Sequence, residues 1–523
     1  MCVKILKIRI KPREAIMSFF KSVLCLLMTV IMIFSCCSVA LAGDYDKYDH
    51  LPQVFVTGIG SAKIYFEDDP DKTSLFWPVD SDRLIKNLGN IGKYMGKAVK
   101  NKDATVLRTV VYNYLMDSFG MLAFNPDGTS MDGIAVEPTT LAEEEPGKFT
   151  FYYDSRQAPT TIAPQLHDYI MLVMEETGSD KIELVGSSYG ANAVTAYIYQ
   201  YPQDYKYIDS LLLCVPSIGG MNFFGELLSG DFNISPIGLC DFINQMIDAE
   251  VIPDFFYLME EAGVLGLFLE AIAVPALRKS VYVGVIDFVR DAIATVPALW
   301  VCVNDQYFES AMSYIYGENY KDPNHTYSKL ISEMTHFHYD IANKAAEIYL
   351  EAEKQSDLKL SIITKFDRAA IPFTSGPNTM DDGLVTVPVA SFGATCTTYG
   401  AQLPVDYKQA KYPEYNFMSP EWDIDASTGV KPFTTWYIKG LGHAKKNADY
   451  MKFVDEIVYK DLTVFTDPNR PQYLTVSEED PEMLEPLTAP KEKNKIYTWL
   501  WNIIRNIVLL PTNIINKIVG KVK

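Results

Sequence analysis

Short apolar runs that read as strands recur through the middle of this chain: Val54–Val56, Ile182–Val185, the run ending in Leu213 and Cys214, Leu358–Phe366 and Thr434–Ile438. The alanine-rich segment Ala191–Ile198, directly after the second run, favours helix. Strands alternating with helices place the chain in the α/β class. Residues 221–356 differ in texture, being rich in Phe, Leu, Ile and Met, as in Phe223–Leu228, Phe255–Met259 and Val264–Leu269. These read as amphipathic or buried helices inserted in the core. A second insertion, 79–147, is expected to hold a helix over Asp80–Lys102 and loop over Met131–Pro146. The Pro- and acid-rich stretch 466–490 reads as a linker. The expected organisation is a leader over 1–42, a core in two parts (43–220 and 357–465), a helical cap (221–356), the linker and a C-terminal helix (491–523).

Between the Ile182–Val185 run and the alanine-rich helix lies Gly186-Ser-Ser-Tyr-Gly190. A serine at the centre of so tight a strand-to-helix turn takes a strained backbone, and only glycine fits two residues before and after it. Ser188 is therefore the candidate nucleophile and Gly186 and Gly190 the elbow glycines, as in an α/β-hydrolase fold with a mostly parallel sheet. A serine needs a base and the base an orienting acid. In that fold they follow in the order Ser, acid, His. Of six histidines, His50 and His167 precede Ser188, and His325, His336 and His338 lie in a polar region with no strand just before them. His443 is on Lys439-Gly-Leu-Gly-His443, the loop off the Thr434–Ile438 strand. For the acid, Asp367 at the end of the Leu358–Phe366 strand competes with Asp381 and Asp382 in Met380-Asp-Asp-Gly-Leu-Val-Thr-Val-Pro388.

Five blocks in order resemble the lecithin:cholesterol acyltransferase and lysosomal phospholipase family. Val54-Phe-Val-Thr-Gly-Ile-Gly-Ser61 is similar to its oxyanion loop, Tyr152-Tyr-Asp-Ser-Arg156 to its Pro-Tyr-Asp-Trp-Arg block, and Leu213-Cys-Val-Pro-Ser-Ile-Gly-Gly220 to its Gly-Ala-Pro-x-Gly-Gly segment. Asp382-Gly-Leu-Val resembles its acid motif and Gly440-Leu-Gly-His443 its histidine loop. The resemblance implies Asp382 as the acid and Ile59 as one oxyanion-hole donor. The other donor should be the amide after the nucleophile, Tyr189. Thr57, Ser155 and Leu384 depart from the family's proline, tryptophan and threonine, which bears on head-group or acyl preference rather than on the chemistry.

Charge and composition extend this picture. The 523 residues are 48% hydrophobic and 13% aromatic, enough for a sizeable core, and the formal charge of −20 argues against nucleic-acid binding. The first 42 residues hold six basic side chains, one acid, the uncharged run Ser22–Phe34 and then Ala40-Leu-Ala42, the layout of a secretory signal peptide. The run is shorter than the roughly 18 apolar residues usual for a membrane span. Residues 491–523 carry a net +6, against a net −31 over 43–490. There Ile496, Trp499, Leu500, Ile503, Ile504 and Ile507 follow helical spacing. This basic amphipathic helix either packs on the acidic body or lies in a membrane interface, the reading favoured by the linker before it. Past the leader remain Cys214, Cys240, Cys302 and Cys396, too scattered for a disulfide scaffold or a metal site. Cys214 reads as a buried free thiol. No metal or cofactor is expected.

The expectation is an exported serine hydrolase or acyltransferase acting on ester lipids, in peripheral contact with membranes. The alternatives are a soluble carboxylesterase for a non-lipid ester and a catalytically silent lipid-binding protein of the same fold.

Overall fold

A computed structural model describes residues 50–68, 75–77, 94, 96–98, 100–137, 139–141, 143–230, 275–367, 379–398 and 401–489. The expected signal peptide, most of the Asp80–Lys102 helix, the cap segments at Phe255 and Val264, Cys240 and the C-terminal helix lie outside these residues.

The apolar runs assemble, with shorter strands added, into one nine-stranded sheet: β1 (Gln53–Val56), β2 (Glu143–Glu145), β3 (Lys148–Phe151), β4 (Ile182–Ser187), β5 (Ile208–Cys214), β6 (Lys359–Phe366), β7 (Thr435–Lys439), β8 (Tyr473–Val476) and β9 (Leu484–Pro486). Their spatial order is β9-β8-β7-β6-β5-β4-β1-β3-β2. The seven inner strands run parallel, and β2 and β9 close the edges antiparallel. A parallel sheet is covered on both faces, which is why β4 and β5 are near-continuous apolar runs rather than alternating ones. Two buried clusters lie against the sheet, one built around Val54, Leu184 and Leu211, the other around Val185, Leu212 and Trp436. The alternation of Leu211 and Leu212 between them follows from the period of two along a strand.

The chain lays down β1, adds β3 on one side, returns to place β4 on the other and then builds outward to β8. The strand order reverses between β1 and β4, and the carboxyl ends of the strands at such a switch point are where open α/β sheets hold their ligands.

The helices that frame the sheet are α1 (Ala104–Phe119), α2 (Pro159–Thr177), α3 (Tyr189–Gln200), α4 (Asn222–Ser229), α5 (Pro275–Asp291), α6 (Asp305–Tyr316), α7 (Ala345–Gln355) and α8 (Ala448–Tyr459) among the longer ones described. Helix α2 starts with Pro159 in its first turn and ends at Gly178, whose φ of 66° gives the left-handed stop that favours glycine. The small residues Ala191, Ala193 and Ala196 let α3 pack closely.

Two expectations are corrected. Residues 466–490 are not a linker: they supply β8, hydrogen-bonded to β7, and β9. The Pro and acidic residues there form the turns around a four-residue strand, and Glu482 accepts from the Ala448 amide at the start of α8, 2.9 Å. The region 79–147 also holds more than was read from it. Helix α1 is capped by Asp103, which accepts from the Val106 amide at 3.1 Å, and Ile134–Val136 and Glu143–Glu145 are strands where loop was expected. Helix α1 packs on α5, joining the two insertions. Gly284 of α5 is so close to α1 that a Cβ there would stand 2.7 Å from the Arg108 carbonyl, and Tyr112 donates to Asp291 at 2.8 Å. Among the described residues no helix is long and apolar enough to cross a membrane.

Candidate active site

Strand β4 ends at Ser187 and α3 begins at Tyr189, so Ser188 alone makes the turn. Its φ of 54° and ψ of −119° lie where non-glycine residues are rarely found. Two hydrogen bonds hold it there: its amide donates to the Cys214 carbonyl at 2.9 Å, and its carbonyl accepts from Ala191 at 3.1 Å. The elbow glycines are required by space. A Cβ on Gly190 would meet the Val56 and Thr57 carbonyl oxygens, the latter at 2.5 Å, and one on Gly186 would stand 3.0 Å from Ala191 Cα.

Ser188 Oγ lies 2.7 Å from His443 Nε2, and His443 Nδ1 lies 2.7 Å from Asp382 Oδ2. Asp382 is 2% exposed. Its other oxygen accepts from the Leu384 and Val385 amides at 3.0 and 2.8 Å, so the carboxylate cannot swing away from the ring. The His443 amide donates to the Asp382 carbonyl at 2.9 Å, joining the two loops by backbone as well as side chain.

Asp367, the competing acid, is turned elsewhere, its carboxylate 3.3 Å from Lys439 Nζ. Asp381 accepts from the Gly383 amide at 2.7 Å. Burial, and then the neighbouring Asp382 charge, push its carboxyl well above the usual range. Both causes disfavour the charged form of Asp381. Other histidines also meet carboxylates: His167 pairs with Asp204 at 2.7 Å, His336 with Asp340 at 2.9 Å and His338 with Asp305 at 3.0 Å. It is the His443 pair that has a serine hydroxyl on the far ring nitrogen.

The loop after β1 lies over Ser188. A Cβ on Gly58 would stand 3.3 Å from Ser188 Cβ and 3.7 Å from Oγ, so the backbone itself makes the approach. Ile59 follows, 7% exposed. Tyr189 opens α3, where first-turn amides have no acceptor within the helix. Both expected oxyanion donors thus stand on the two segments that flank Ser188.

The Tyr152–Arg156 block braces this loop, a role not read from sequence. Tyr153 donates to the Thr57 carbonyl at 2.6 Å, and Ser155 Oγ accepts from the Gly60 amide at 2.7 Å. Thr57 Oγ1 in turn donates to the Phe151 carbonyl at 3.2 Å. Arg156, 1% exposed, forks onto Asp154 at 2.9 and 2.8 Å and fixes the block. Lys365 was also missed, although a lysine inside the apolar Leu358–Phe366 run was the signal for it.

Cys214, Cys302 and Cys396 are free thiols, Cys214 buried as expected. Among the described residues no cluster of three or more His, Cys, Asp or Glu is placed to hold a metal. No protein-family model and no curated protein matches this chain.

Proposed function

We propose that the chain is a serine hydrolase with an α/β-hydrolase fold and a helical cap, acting by acyl transfer on ester lipids. The observation that carries this reading is the continuous chain Ser188 Oγ, His443, Asp382, with both links at 2.7 Å and the serine on a strained elbow. In the proposed mechanism His443 Nε2 takes the Ser188 proton as Oγ attacks the ester carbonyl. Asp382 holds the imidazole tautomer and stabilises the imidazolium. The Tyr189 and Ile59 amides stabilise the oxyanion. His443 then protonates the leaving alcohol, and water or an acceptor alcohol attacks the acyl-serine with His443 again as base.

The lipid substrate class rests on the family resemblance of the five sequence blocks and on the apolar insertion. Export rests on the leader, and peripheral membrane contact on the basic amphipathic C-terminus. The test is fatty-acid release from phospholipid vesicles beside hydrolysis of a soluble short-chain ester. Wild type should do both and Ser188→Ala neither, with unchanged thermal stability. Hydrolysis retained by Ser188→Ala refutes the reading, whereas ester hydrolysis without vesicle hydrolysis leaves a soluble esterase. Removing 491–523 should leave the soluble activity intact and weaken binding to anionic vesicles. Full vesicle binding by the truncated protein would contradict the membrane role.

A further inference from the structure

Lys365 is the second-last residue of β6, paired with Ile438 of β7, and is 1% exposed. A buried ammonium is costly unless its donors are satisfied, and it carries three of them and no acceptor. Lys365 Nζ donates to three carbonyls of one loop: Lys445 at 2.6 Å, His443 at 3.2 Å and Gly442 at 3.4 Å. The loop off β7 thus curls around a buried cation. The ring of Tyr450, from the first turn of α8, covers the ammonium at 4.4 Å.

The consequence falls on His443. Its amide is tied to the Asp382 carbonyl and its own carbonyl to Lys365, so its backbone is held at both ends while its ring spans Ser188 and Asp382. Gly440, with φ of 79°, turns the chain out of β7 with its amide donating to the Phe366 carbonyl at 2.9 Å, and Lys365 holds the stretch of loop that follows.

We infer that Lys365 is a positioning residue that fixes the catalytic histidine loop through its three carbonyl contacts. The inference rests on the proposed function for its activity readout, and a spectroscopic readout is independent of it. Lys365→Met keeps the length of the side chain and removes the donors. In the folded variant, kcat for a soluble p-nitrophenyl ester should fall about 10- to 100-fold, the scale of a misplaced catalytic group. KM should stay within about twofold, because the ester does not touch Lys365. Labelling by a fluorophosphonate should slow in parallel. The far-downfield proton resonance of His443 Nδ1–H, observed in one-dimensional spectra, should shift or broaden. Lys365→Arg keeps the charge in a planar fork that cannot converge on the same three carbonyls. It keeps the inference testable should Lys365→Met fail to fold, and its kcat should still lie below wild type. Variants that lose thermal stability but keep wild-type kcat and an unmoved resonance overturn the inference and leave Lys365 a structural residue. A wild type inert to ester and probe, in which Lys365→Met still moves the resonance, sinks the hydrolase reading while keeping the role of Lys365 in placing His443.

Discussion

Gly190→Ala tests whether the elbow geometry matters for chemistry. The added methyl would lie 2.5 Å from the Thr57 carbonyl oxygen and 2.8 Å from the Val56 carbonyl carbon, where Cβ contacts under 3.0 Å are essentially never found. Both are backbone atoms at the end of β1, so no side chain can turn aside. Helix α3 must retreat from β1 by about half an ångström or more for the Thr57 contact to reach 3.0 Å. Its first residue carries the proposed oxyanion amide and the residue before it is Ser188, so the proposed nucleophile moves relative to the Gly58–Ile59 loop. Overpacking of this kind costs about 1–3 kcal/mol, and displacement of a catalytic group by about 1 Å can cost 100-fold in rate. We expect kcat for a soluble ester to drop by about 10- to 100-fold and the thermal midpoint to fall by a few degrees. The control is Gly147→Ala in the β2–β3 turn. Gly147 has φ of 76° and open space, so alanine strains the backbone without a clash. It should lose stability and keep full kcat. Wild-type turnover in folded Gly190→Ala would refute the claim that the approach of α3 to β1 positions the serine.

Two further predictions separate roles that the geometry assigns. Asp382→Asn should lower kcat by on the order of 10³ or more by admitting the wrong imidazole tautomer, while Asp367→Asn, which loosens the pairing with Lys439, should leave it near wild type; steady-state kinetics giving the opposite ranking would mean that Asp367 is the acid. Glu183, at the opposite end of β4 from Ser188, is 4% exposed, and its Oε2 meets no hydrogen-bond donor among the described residues. Burial first, and then the charge of Asp209, raise its carboxyl from 4.5 to about 8. The folded state therefore holds a proton there that the unfolded chain has lost. That contribution is fully present below pH 4.5 and is lost as pH rises toward 8, at about 1.4 kcal/mol per pH unit. Glu183→Gln removes this slope, so its stability advantage in urea unfolding should grow from pH 5 to pH 8, and a difference independent of pH would contradict the assignment.

What the sequence made legible was local. The Gly186–Gly190 turn needs its glycines wherever it occurs, and the strand before it and helix after it are adjacent in the chain. His443 could be chosen because it follows its own strand. The acid could not be chosen from local pattern. Asp367 and Asp382 both follow β6, and what separates them is distant in the chain: Lys439 holds one and His443 the other. Residues 466–490 were misread because β8 is only four residues long and its pairing with β7 is not written in its neighbours. Helix α1 was missed although Asp103 caps it and Leu107, Val110, Val111, Tyr114 and Leu115 are buried at helical spacing. Its valines and threonines favour strand, and packing against α5, far away in sequence, overrides that preference.

The most direct test of the central claim is to treat the full-length protein with a fluorophosphonate and map the adduct by mass spectrometry after proteolysis. An activated serine displaces fluoride and forms an Oγ–P bond, whereas an ordinary hydroxyl does not react. A single adduct is expected, on Ser188, that is lost in His443→Ala although Ser188 is still present. Folded wild-type protein that stays unlabelled, or that is labelled at another residue with Ser188 unmodified, would contradict it.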